Sequence, residues 1–198
     1  MQKISLPTII IFVVFFITIS SSEFSYAQTT NEIEWKNHTS PHHKLSLEYP
    51  ADWVLEEGKE SRFDGYKELT VNDYDPVTGK HLSFSVSNVD MPEGPIAKLE
   101  ADKDSNDNRD ADGIIQTKII EDIQPYENKI DGEDAYSLLS AMTFGSDTEA
   151  GNAGLELTTF HNGQGFVFFF FTIPAKLFDD PKITEIREHM INSIKWND

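Results

Sequence analysis

Eight residues, Phe166-Val167-Phe168-Phe169-Phe170-Phe171-Thr172-Ile173, leave this chain few ways to fold. Aromatic and β-branched residues favour a pleated strand. Successive side chains in a strand point to opposite faces. Val167, Phe169, Phe171 and Ile173 therefore point one way, and Phe166, Phe168 and Phe170 the other. Both sets are apolar, so the strand is expected at the centre of a sheet with cover on both faces. Residues 155–161 read as a partner strand, and Asn162-Gly163-Gln164-Gly165 supplies turn residues for a hairpin. Asp180-Pro181 then opens a helix, and Ile183, Ile186, Met190, Ile191 and Ile194 recur at helical spacing.

The rest of the chain repeats the hairpin pattern. Residues 45–49 alternate apolar and polar until Pro50 ends the strand. Residues 68–74 alternate, a turn cluster follows at 75–79, and Leu82, Phe84 and Val86 alternate with Ser83, Ser85 and Ser87. Ile96 and Leu99 mark a short helix. Strand character returns at 116–123, and Asp131-Gly132 is a hairpin turn before a strand at 135–143. Residues 56–65, 105–113 and 145–154 are charged, acidic or glycine-rich, and are expected to be loops. Hairpins imply an antiparallel sheet, and a terminal helix covers it. The expected class is α+β, a central antiparallel β-sheet covered by helices in an α/β/α sandwich.

Lys3 begins a positive start, residues 6–19 are mostly apolar, and Ser25-Tyr26-Ala27 is a small-x-small cleavage site before Gln28. The apolar run is shorter than the ~20 residues that span a bilayer. Residues 1–27 are therefore expected to be a secretory signal, with a retained anchor as the alternative and the only membrane contact. Residues 28–44 read as a polar lead-in and 45–198 as one domain, extracytoplasmic or bound to the cell envelope. The chain has no cysteine, which excludes disulfides, thiol catalysis and Cys-ligated metal. A net charge of −18 repels phosphate backbones and excludes nucleic acid as a partner. The same field attracts basic protein surfaces and divalent cations.

Three stretches together resemble the PsbP-like family, whose fold is shared with a Ran-binding import factor. Leu47-Glu48-Tyr49-Pro50-Ala51-Asp52-Trp53 is similar to its apolar-x-Tyr-Pro-x-x-Trp strand end. Ile130-Asp131-Gly132-Glu133-Asp134-Ala135-Tyr136 is similar to its Gly-x-x-Ala hairpin, and 165–173 with Ile191-Asn192-Ser193-Ile194-Lys195 to its last strand and closing helix. The resemblance implies a central antiparallel sheet between helices and a non-enzymatic accessory role. No family residue for docking to a photosystem has a counterpart in this sequence.

One loop offers ligands for a hard cation. Asn108, Asp110 and Asp112, followed by Gly113, match the start of a calcium loop, whereas Ile119 stands where a bidentate Glu belongs. A calcium site there would be weak, and a solvated acidic loop is the simpler reading. His38, His42 and His43 could meet zinc or copper, but Pro41 argues against a helix that would align them. Gly163-Gln164-Gly165 is a turn rather than a phosphate cradle. No catalytic residue, and no cofactor other than that calcium, is expected. The function expected is an exported, non-catalytic accessory or binding module. The alternatives are a calcium-dependent cell-surface structural protein, or a carboxylate-based hydrolase recognisable by two close carboxylates in a deep pocket.

Overall fold

Alternating segments become strands and period-3.6 segments become helices in the computed structural model, which describes residues 32–60, 67–109, 115–144 and 147–198. The strands are β1 (Trp35–Ser40), β2 (Leu45–Pro50), β3 (Val54–Glu60), β4 (Lys67–Tyr74), β5 (His81–Val89), β6 (Ile115–Pro125), β7 (Ala135–Phe144), β8 (Asp147–His161), β9 (Gln164–Ile173) and β10 (Lys195–Trp196). The helices are α1 (Pro95–Arg109) and α2 (Pro181–Asn192), with a 3-10 turn at Ala175–Asp179. Seven strands form one antiparallel sheet in the order β3-β4-β5-β9-β8-β7-β6. The phenylalanine-rich strand β9 is fourth of the seven, where its apolar pattern requires it to be. A second antiparallel sheet has the order β1-β2-β10.

One face of the large sheet carries the core. Register places Phe84 beside Phe170 and Phe170 beside Leu155, and Val86 beside Phe168 and Phe168 beside Leu157. Phe166, Phe168 and Phe170 are 1–2% exposed. Leu45 and Leu47 of β2, and Ile183, Ile186, Met190 and Ile191 of α2, join the same buried cluster. Burying each such side chain contributes about 1.5–3 kcal/mol. Asp180 caps α2 by accepting from the backbone N–H of Lys182 at 2.9 Å and of Ile183 at 3.4 Å, with Pro181 in the first turn.

The two hairpin turns form as their residues dictate. Asn162 and Gly163 have φ of 47° and 76°, and Asp131 and Gly132 have 46° and 94°. Positive φ at both central positions is what a two-residue hairpin matching strand twist requires.

Several segments depart from expectation. The second apolar set of β9 is not fully covered: Val167, Phe169, Phe171 and Ile173 are each half-buried. On that side α1 packs on β6, β7 and β8. Residues 56–60 of the expected loop belong to β3, an edge strand whose register shifts between Glu57 and Lys59, around Gly58 at φ 79°, and 61–65 lie outside the described residues. The helix continues through residues 105–109, inside the expected acidic loop. Most of the expected loop at 145–154 belongs to β8. Part of the polar lead-in, Trp35–Ser40, is a strand, because β1 pairs along the whole of β2.

Gly165 sits where β9 passes the end of β5. A Cβ there would lie 2.7 Å from the Val89 carbonyl oxygen and 2.7 Å from Met91 Cγ. The backbone oxygen cannot step aside, so Gly165→Ala should destabilise the fold by about 1–3 kcal/mol, measured by urea denaturation. An unchanged midpoint would refute that close approach.

Candidate functional site

The uncovered part of the large sheet is built by period-2 alternation. Each inward apolar residue of β5 is followed by an outward serine, so Ser83, Ser85 and Ser87 share one face. Register sets Ser83 beside Phe171, Ser85 beside Phe169 and Ser87 beside Val167. Asn72 and Thr70 of β4 continue these rows outward. The rings run on in contact: Phe169 to Phe171 at 6.1 Å, Phe171 to His81 at 5.9 Å, and His81 to Tyr74 at 5.7 Å. Tyr74 is 62% exposed. Burial lowers the His81 pKa, so the ring stays neutral near pH 7 and the strip carries no charge there. Among the described residues, α1 packs mainly on β6, β7 and β8 and α2 mainly on β2, rather than on β4, β5 or β9. The result is a flat strip of aromatics edged by hydroxyls and an amide. Such a strip can stack and hydrogen-bond, and it holds no nucleophile–base pair.

Beneath α1 the same face carries a buried acid. Glu156 of β8 lies opposite Phe169 and Leu138, and Lys98 Nζ of α1 approaches its Oε1 to 3.6 Å. Lys98 also pairs with Asp102 one turn on. Burial, and then the neighbouring Asp102 carboxylate, push the Glu156 pKa up to about 8, and Lys98 opposes them. Thr158 of the same strand donates to the Pro95 carbonyl at 3.2 Å, which fixes the start of α1 over β8. Glu156 and Asp102 are thus two close carboxyls. Neither lines the 640 Å³ groove between α1 and β6 or the 440 Å³ one beside Gly163-Gln164-Gly165. They sit between α1 and β8, where Lys98 meets both.

Of the histidines flagged by the sequence, His42 and His43 meet edge to edge with ring centroids 5.0 Å apart, while His38 pairs with Glu57. His38 Nε2 donates to Glu57 Oε2 at 2.8 Å, and Ser40 Oγ donates to the other oxygen of Glu57. His43 is 1% exposed and its Nδ1 donates to Asn88 Oδ1 at 2.7 Å. Burial lowers its pKa. His161 contacts Glu133 at 3.0 Å through Nδ1 and Asp198 at 2.9 Å through Nε2, and it stacks on Trp196 with centroids 4.4 Å apart. Its net pKa is raised, because hydrogen bonds to the two carboxylates outweigh desolvation. Among the described residues no group of three or more His, Cys, Asp or Glu could hold a metal ion. Of the three calcium candidates, Asn108 lies in α1, while Asp110 and Asp112 lie outside the described residues. No described helix is long and apolar enough to cross a membrane. The N-terminal signal expected at residues 1–27, with its expected cleavage site, also lies outside the described residues.

A seven-stranded antiparallel sheet, a small second sheet and two helices make this an α+β protein, and its fold is the PsbP-like fold. The solution structure of cyanobacterial PsbP (CyanoP) from Synechocystis sp. PCC 6803 is similar at a TM-score of 0.57 and 15% identity, over 83% of this chain and 93% of that one. LpqN of Mycobacterium tuberculosis, described as involved in cell envelope biogenesis, is similar at 0.50 and 15%, over 85% and 93%. The Saccharomyces cerevisiae Ran-binding protein Mog1p is similar at 0.50 and 10%, over 84% and 97%. No protein-family model matches the sequence, and no curated protein matches it.

Proposed function

We propose that this chain is a non-catalytic binding module that docks a basic protein partner on the open β4–β5–β9 face, outside the cytoplasmic membrane. The observation that carries this reading is the half-exposed run Phe169–Phe171–His81–Tyr74 among serines. Aromatic residues concentrate at the centres of protein interfaces, because they bury much area at little entropic cost. The net charge of −18 favours a basic partner and raises its association rate. The layering is read as helix, sheet, helix, with α1 leaving half of its own side free. Similar folds include one protein described as Ran-binding and one described as involved in cell envelope biogenesis, which agrees with a binding role and with export.

The test is crosslinking and affinity capture from the cell envelope of the source organism, with the wild type and with a Tyr74→Ala, Phe171→Ala double variant. The partner captured by the wild type should be basic, and its recovery should fall about tenfold or more in the variant, as for interface hot spots. Equal capture by a folded variant would refute this face as the docking surface. An N-terminus at Gln28 in the captured protein would support export, and one at Met1 would support the retained anchor.

A further inference from the structure

The small sheet carries an acceptor triplet for an N-linked glycan on its edge strand. Asn37-His38-Thr39 fits Asn-x-Ser/Thr with a residue other than proline in the middle, and no other triplet in the sequence does. A pattern this short has to be judged by where the fold puts it. All three residues lie in β1, where the chain is extended. Period-2 alternation sets Asn37 and Thr39 on one face of the strand and His38 and Ser40 on the other. In register, His38 and Ser40 stand beside Leu47 and Leu45, which are fully buried in the core. The same two residues bind the Glu57 carboxylate of β3, which fastens the inner face of β1. Asn37 and Thr39 stand beside Glu48 and Ser46 instead, on the face turned from the core, and both are exposed.

Nothing in the fold uses the two acceptor side chains. Among the described residues, neither the Asn37 amide nor the Thr39 hydroxyl has a hydrogen-bond partner. Derivatising the amide therefore breaks no contact. β1 pairs with β2 alone and is the edge of its sheet, so a bulky group on it has open space to one side. The open β4–β5–β9 strip lies across the large sheet from β2 and α2, so a glycan on β1 leaves that strip clear.

We propose that Asn37 is an N-glycosylation site that receives an oligosaccharide from a lipid-phosphate carrier. The inference rests on the export part of the docking reading, because this modification belongs to surface positions of exported proteins. The Asn37 side-chain nitrogen bonds to the anomeric carbon of the sugar. The bond from that carbon to the carrier phosphate breaks, and one amide proton leaves with the released lipid phosphate. No atom is oxidised or reduced. The Thr39 hydroxyl completes the recognised triplet and carries no sugar itself.

Peptide mass spectrometry of the full chain purified from the source organism tests this, with cytoplasm, envelope and medium kept as separate fractions. The peptide that spans Asn37 should carry a sugar mass on Asn37 in the envelope or the medium. Asn37→Gln and Thr39→Ala should each abolish that increment, and Thr39→Ser should keep it, because serine also completes the triplet. All three change exposed side chains that hold no contact, so the fold is kept. An exported chain whose Asn37 peptide has its unmodified mass would overturn the proposal and leave export standing. An unmodified chain found in the cytoplasm alone would overturn both. Sugar on this peptide that survives Asn37→Gln would place it on a hydroxyl, and would overturn the assignment to Asn37.

Discussion

Phe168→Ala should lower the unfolding free energy by about 3–5 kcal/mol, whereas Phe169→Ala, the next residue, should cost about 1 kcal/mol or less. The two side chains differ only in which side of the central strand they occupy. Phe168 is 1% exposed, lies between Val86 and Leu157 in register, and its ring approaches those of Phe84 at 6.3 Å and Phe166 at 6.4 Å. Its neighbours belong to separate strands that cannot collapse together, so truncation leaves a cavity and adds that cost to the lost transfer energy. Trp196 of β10 also packs on Phe166 and Phe168, at 4.7 and 6.3 Å, so the loss extends to the C-terminal strand. Phe169 is half-buried, with its ring over Gly154, where a Cβ would fall 2.5 Å from Cζ. The measurement is the urea midpoint at constant slope for both variants. Equal losses would mean that the outward face is packed as tightly as the inward one, and would remove the open strip on which the docking surface depends.

The glycine under Phe169 shows why the sequence was legible in some places and not in others. Turn chemistry and periodicity are local, so the hairpin at Asn162-Gly163, the helix after Asp180 and the central place of β9 could be read directly. Glycines between 145 and 154 looked like loop markers, yet Gly154 makes room for a ring and Gly151 for a backbone, its Cβ falling 2.4 Å from the Met142 carbonyl oxygen. Those reasons are tertiary and leave no local trace. β3 and β1 were missed because each pairs on one side only, and an edge strand needs little apolar patterning. The docking strip was half legible: its serine alternation was plain, but whether a helix covered it was not. Arg187 interrupts the apolar stripe of α2, between Ile183, Ile186, Met190 and Ile191, and is accommodated there by the Phe178 ring at 4.2 Å and the Phe178 carbonyl at 3.1 Å, partners no local pattern announces. Glu156 left no signal, because Leu155-Glu156-Leu157 looks like any strand with a solvated polar side.

Glu156→Gln should flatten the dependence of stability on pH. The carboxyl is raised from its ordinary value of 4.5 to about 8 in the folded chain, chiefly by burial and then by Asp102. The folded state therefore holds a proton that the unfolded state releases across this window. Stability from this group is fully present below pH 4.5 and is lost as pH rises through about 8. The wild type should lose on the order of 4 kcal/mol over that range from this residue, about 1.4 kcal/mol for each pH unit. Glutamine keeps the shape and cannot ionise. The variant should match the wild type near pH 5 and exceed its stability at pH 9. His43, whose lowered pKa makes stability rise with pH, and His161, whose raised pKa makes it fall, titrate in both chains and cancel in the difference. Asp102→Asn should narrow the window, because it removes the second cause of the shift. Urea denaturation at pH 5, 7 and 9 separates these outcomes. Parallel profiles for wild type and Glu156→Gln would mean that the carboxyl is ionised in the fold, held as a buried ion pair by Lys98, and that α1 is fastened by charge rather than by a retained proton.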